Sequence, residues 1–147
     1  MHGFYAGALW SYGRHDEGLR EFKISTELAP NSDDAHERYG AALAEIGRDD
    51  EAMTEFSEAL HWSSSPTPFR AFILTEMAGI ELKRSEFPKA AGHLREALQI
   101  SPQTMNYHAS LAQALNQQGF TKEADEEMRI EAGIRQQVVQ EQRASRN

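Results

Sequence analysis

Residues 33–60 read DDAHERYGAALAEIGRDDEAMTEFSEAL. Tyr39, Leu43 and Ile46 fall at spacings of four and three, and Ala52, Phe56 and Ala59 do the same with Leu60 beside them. Such spacings put each set on one face of a helix. Gly47 stands between the two sets, where a left-handed residue closes one helix. Asp49 or Asp50 then suits the start of the next. The stretch is two amphipathic helices joined by a tight turn.

Sliding the chain against itself extends that pattern in both directions. Gly13 and Gly47 are 34 residues apart, Ser85 lies 38 further on, and Gly119 a further 34. The same intervals relate Phe22, Phe56, Leu94 and Met128, then Ala6, Gly40, Ala78 and Ala112, then Tyr5, Tyr39, Met77 and Leu111. Pro30 and Pro102 close units, since proline ends one helix and is tolerated at the start of another. The spacing predicts helices over 2–12, 16–29, 33–46, 50–62, 69–84, 87–99, 104–118 and 121–142. Ala6, Gly40, Ala78 and Ala112 let the first helix of each pair approach the second, where Ala52, Ala90 and Ala124 wait. The large column of Phe22, Phe56, Leu94 and Met128 is expected to fill the layer between units.

The order small residue, Leu or Tyr, Gly break, Ala, Phe, Ala, Pro resembles the tetratricopeptide repeat over about residues 1–134. The second unit matches most fully, through Tyr39, Gly40, Leu43, Ala52, Phe56 and Ala59. The first departs at Gly18 and Ser25, the third at Glu81, and the fourth at Glu131, a place that no following unit would bury. The resemblance implies an all-α fold, a right-handed α-solenoid of four helix-turn-helix repeats with an extended C-terminal capping helix. It reads as a single domain over 1–147, with repeats at about 1–32, 33–66, 67–104 and 105–134 and an extension over 135–147. Along the C-terminal helix that runs past the repeat, Met128, Ile134, Val138 and Val139 would cover the last repeat, Gln136, Gln137, Gln140 and Glu141 would face water, and the end near Asn147 would fray. Met1 opens directly on the first helix, which leaves that end to be covered by preceding chain or by a partner.

In this family the first helix of each pair lines a concave groove that takes a peptide or helix. Matching columns give a floor of Gly7, Ala41, Gly79 and Gln113. Beside them run Phe4, Arg38 and Glu76, with Asp34, Phe72 and Asn106 in one flanking column and Trp10, Leu82 and Asn116 in another. Small floor residues admit a ligand backbone, and aromatic and Arg anchors are where interface energy concentrates. Phe4 and Trp10 have a second reading, as packing within a terminal repeat. The co-chaperone version of the groove, which grips a C-terminal carboxylate with Lys, Asn and Arg, is not matched. Its columns hold Gly3, Gly7, Arg38, Phe72 and Glu76, or, one repeat later, Glu37, Ala41, Glu76, Asn106 and Ser110.

The bulk of the chain narrows the function further. No cysteine is present among 147 residues, so disulfides, thiolate metal sites and thiol nucleophiles are excluded. That composition fits a reducing, cytoplasmic setting. The net charge of −8 argues against nucleic acid, and the apolar run Phe4–Trp10 is too short to insert in a membrane. Residues 1–66 hold 5 Lys/Arg against 13 Asp/Glu, whereas residues 67–147 hold 10 of each. That acidic half reads either as a solvated face or as a field that steers a basic partner.

His2, His36 and His108 share a column, with Leu74 in the third unit. Neighbouring helices lie roughly 8–10 Å apart, so equivalent imidazoles should not converge on one metal ion. His15, His61 and His93 lack companions at ligand spacing, and no phosphate loop or nucleophile elbow is present. No catalytic residue, metal or cofactor is therefore assigned. Segment 61–70, HWSSSPTPFR, holds the four extra residues and reads as a surface loop, or as a hinge or contact loop anchored by Trp62 and Phe69. The function expected is a protein-interaction scaffold with a protein or peptide partner. The alternative is a homo-oligomer that stacks end to end through the first helix, around Tyr5, Leu9 and Tyr12.

Overall fold

The computed structural model describes residues 1–146; Asn147 and its expected fraying lie outside the described residues. Among these it has eight helices and no strand: α1 (His2–Ser11), α2 (His15–Leu28), α3 (Asp33–Glu45), α4 (Asp49–Trp62), α5 (Pro68–Lys83), α6 (Phe87–Ile100), α7 (Tyr107–Gln117) and α8 (Thr121–Ala144). They form two compact units, Met1–Pro66 and Thr67–Asn147. In the first unit α1 packs on α2, α2 on α3 and α3 on α4; in the second α5 packs on α6, α6 on α7 and α7 on α8. No described helix is long and apolar enough to cross a membrane.

The turn inside each hairpin is built the same way. The backbone is left-handed at Gly13 (φ 76°), Gly47 (78°), Ser85 (61°) and Gly119 (83°). The amide after each reaches back five residues, Arg14 to Leu9, Arg48 to Leu43, Glu86 to Glu81 and Phe120 to Leu115, at 2.8–3.0 Å. These bonds satisfy carbonyls that the helix end would leave bare. Glycine enters this conformation without a steric cost, and Ser85 bears one.

Small residues set how closely paired helices pack. A β-carbon on Gly40 would stand 2.9 Å from two ring atoms of Phe56, which is itself fully buried. Ala6, Ala78 and Ala112 hold the equivalent place, and Ala52, Ala90 and Ala124 across from it are buried too. Gly18 replaces alanine for a local reason: a β-carbon there would lie 3.1 Å from the Ala6 carbonyl and 3.3 Å from the Trp10 ring.

Two expectations need correction. Phe22, Phe56 and Leu94 are buried, but Met128 is 46% exposed. No described helix follows α8 to cover that side, so the apolar side chain stays at the surface. Val139 is likewise exposed and Val138 half-buried, leaving Ile134 as the buried residue of the four.

Glu131 corrects the other. Its site is 1% exposed, although no described helix follows α8. Asn106, left-handed at φ 75°, donates its backbone N–H to both Glu131 oxygens at 3.0 Å. Arg135 ties the pair together, donating to Glu131 Oε1 at 2.9 Å and to Asn106 Oδ1 at 3.0 Å. The carboxylate of α8 thus supplies the acceptor that an N-cap side chain normally gives, and α7 starts three residues later than its periodicity predicts. Burial alone would raise the Glu131 carboxyl, but the bonds from Asn106, Arg135 and Ala109 hold it below its ordinary value.

Candidate functional site

In the first unit, α1 and α3 carry the candidate groove residues and turn them toward one another. A concave pocket of about 410 Å³ is lined by Gly7 and Trp10 from α1, by Arg38 and Ala41 from α3, and by Phe22 from α2 at its base. A β-carbon on Gly7 would meet nothing within 4 Å, so the small residue does leave open space. Trp10 is half-buried, with its ring edge-on to Phe22 at 6.2 Å and stacked on His15 at 4.5 Å. Its indole N–H donates to Glu45 Oε2 at 2.8 Å, which fixes α1 against α3 at the pocket rim.

Arg38 points its charge elsewhere. Its Nε donates to both oxygens of Asp34, at 3.0 and 2.9 Å, and its guanidinium lies 5.5 Å from the centre of the Phe4 ring. The Asp34 hydrogen bond is the main reason its proton is held more tightly than usual. Phe4 is 79% exposed. All six groove residues expected in this unit therefore lie together, four on the pocket wall and the Phe4–Asp34 pair clasping Arg38 beside it.

Five lining residues were not among the expected groove residues: Ser11, Phe22, Glu37, Ala42 and Glu45. Glu37 is 8% exposed and Glu45 is exposed. The signal for Glu45 was its place one helical turn beyond Ala41.

In the second unit the expected residues are less gathered. Phe72 is 42% exposed, and Gly79, Gln113 and Asn116 are exposed. Leu82 instead packs on the buried cluster around Leu94, Leu111 and Leu115. Asn106 is engaged at the start of α7 through its backbone and side chain, as described above. Glu76 is half-buried, and that burial pushes its carboxyl above the ordinary value.

The histidine column makes hydrogen bonds across each hairpin. His36 Nδ1 meets Glu55 at 2.7 Å and its Nε2 meets the Pro30 carbonyl at 2.9 Å. His108 repeats the arrangement with Glu127 at 2.6 Å and the Pro102 carbonyl at 2.9 Å. His2 keeps the carboxylate half, with Glu21 at 2.7 Å, but is exposed. The rings of His36 and His108 are buried. The third repeat has Leu74 in this column and turns the pair around: His93, on the second helix, contacts Glu81 at 2.9 Å. Glu81 is 3% exposed, so its departure from the repeat pattern has a partner.

Comparison with known proteins agrees with this geometry. The family model described as tetratricopeptide repeat matches residues 6–67. No curated protein matches the chain. Among solved structures, one of MamA superposes with a TM-score of 0.86 at 15% identity, covering 95% of this chain and 79% of that one. MamA from Desulfovibrio magneticus RS-1 gives 0.81 at 19% identity, covering 90% and 73%. YrrB, a tetratricopeptide protein described as having an unusual peptide-binding site, gives 0.78 at 16% identity, covering 90% and 66%. At such identities the likeness speaks for the fold, an all-α helical-repeat solenoid, and for nothing finer.

Proposed function

We propose that this tetratricopeptide-repeat protein is an interaction scaffold that holds a peptide or helical segment of another protein against the first helices of its repeats. The observation that carries the reading is the pocket between α1 and α3, where Gly7, Trp10, Arg38 and Ala41 converge. Aromatic and small residues side by side offer both an anchor point and room for a backbone. YrrB, with a peptide-binding site in the same fold, lends support by analogy only.

Ala41→Leu fills the pocket from a half-buried position without touching a charge, and Phe72→Ala removes an exposed anchor in the second unit. With a partner captured from native lysate, each variant should weaken binding by about tenfold while the circular dichroism spectrum stays helical. Wild-type affinity in both variants would remove the groove from the account.

A second reading, end-to-end self-association through α1, is favoured by Tyr12, 85% exposed, and by Tyr5, 53% exposed. Leu9 is buried and is not available to such a contact. Light scattering across concentration decides it: a protein that stays monomeric at its highest concentration has no strong stacking interface.

A further inference from the structure

We propose that the first-unit pocket takes the cationic side chain of an Arg or Lys from the bound segment. This rests on the groove reading and adds the chemistry of the ligand. The pocket combines an aromatic wall with carboxylates. Trp10 and Phe22 form the wall, and Glu37 and Glu45 project from α3 into the same space. The two glutamates are eight residues apart, roughly 12 Å along the helix axis, so they stand at opposite ends of the pocket.

Glu45 is positioned rather than loose. Its Oε2 accepts the Trp10 indole N–H at 2.8 Å, and a carboxylate retains further acceptor sites for a guanidinium or ammonium. Trp10 lines the same pocket, and a cation that reaches over its ring face, as distinct from the N–H edge that Glu45 holds, is attracted by the ring. Arg38 is on the wall but does not cancel this field. Its head is bound by Asp34 and lies 5.5 Å from the centre of the Phe4 ring; it also interacts with Glu37, so Glu45 is the carboxylate that chiefly meets the guest.

The surroundings point the same way. The unit that holds the pocket carries the whole net charge of −8, and the second unit is neutral. A field of one sign over a cleft raises the local concentration of the opposite charge and speeds its arrival. At the positions 38 residues on from Glu37 and Glu45 the chain has Thr75 and Lys83, so the acidic pair belongs to α3 and is not a property of the repeat.

The test uses the full chain and the indole resonance of Trp10, with Trp62, the other of the two tryptophans, as the internal control. The probes are blocked tripeptides, acetyl-Gly-Arg-Gly-amide and the same peptide with citrulline, which keeps the shape and loses the charge. The Arg peptide should move the Trp10 resonance saturably and leave Trp62 in place, with the citrulline peptide weaker by about tenfold. Glu45→Gln, which keeps an acceptor for the indole, and Glu37→Gln should each weaken the Arg peptide several-fold, and added salt should do the same. Equal binding of the two peptides would overturn the cationic anchor and leave the groove standing. So would an unmoved Trp10, or full Arg affinity in both glutamine variants. Failure of the groove itself is read separately, from the Ala41→Leu variant and its captured partner.

Discussion

The two units have the same kind of hairpin but use their carboxylates differently. In the first, Glu37 and Glu45 line a pocket. In the second, the buried carboxylates Glu81 and Glu131 are consumed internally, by His93 and by Asn106 with Arg135. Glu81 and Glu131 stand in columns that the other repeats fill with small or apolar residues, whereas the column of Glu45 is polar throughout, with Ser11, Lys83 and Gln117. The carboxylates that interrupt a core column are the ones fastened inside the fold.

The starts of α3 and α7 sharpen the contrast. Helix α3 begins locally: the Ser32 side chain accepts the Ala35 N–H at 3.2 Å, and Asp33 and Asp34 fill the first turn. Helix α7 has no side-chain cap of its own and relies on Glu131 from α8. Local chemistry is replaceable at small cost, whereas a carboxylate that fastens two helices is not.

The largest effect should follow from Glu131→Ala. It removes the acceptor of the Asn106 N–H from a part-buried bond and releases Arg135, and chemical denaturation should show a loss of about 2–3 kcal/mol. Ser32→Ala, its counterpart at α3, should cost about 1 kcal/mol. Glu45→Gln should leave stability unchanged within error, because the amide oxygen still accepts the Trp10 indole N–H. Equal losses at Glu131 and Glu45 would erase the distinction between the units.

Acid should expose the same fastening. The Glu131 carboxyl is held below its ordinary value in the folded chain, so its stabilisation is complete above the unfolded value and lost as pH falls through the folded one. Glu76, raised by burial, runs the other way: its contribution is present at low pH and fades as pH rises through its raised value. Stability measured against pH should therefore fall less steeply on the acid side in Glu131→Gln than in the wild type. Identical slopes would mean that Glu131 binds no differently in the unfolded chain.

The smallest effect concerns the hairpin turns, where the units differ at Ser85. Ser85→Gly should raise stability by up to about 1 kcal/mol, since it relieves the left-handed serine at some cost in chain entropy. A decrease would show that the serine side chain has a role which its backbone angle hides.

Much of this architecture was legible because it is local and repeated. The turn column found Ser85 among glycines, and all four positions are left-handed. The cross-hairpin histidine pairs were also written in the sequence, as Glu21, Glu55 and Glu127, each 19 residues after a column histidine. Searching the histidines for convergence on one another missed them, since their partners sit on the second helix of the same hairpin. The Glu131–Asn106 fastening left no such trace. It joins residues 25 apart, occurs once, and depends on how α8 crosses the start of α7. Met128 was misplaced because a repeat column says what faces the next unit, not whether there is one. Of the groove columns, Leu82 and Asn106 are already engaged inside the fold, which a column alone does not reveal.

Placing a photoactivatable phenylalanine analogue at Ser11, on the pocket rim, and separately at Ser57 on α4 tests the binding face most directly. Both positions are exposed and lie in the same unit, but Ser57 is not among the pocket-lining residues. Adducts with the partner should form from Ser11 and be lost when Ala41→Leu is added. Adducts that form as well from Ser57, or that survive the filled pocket, would place the partner on another surface.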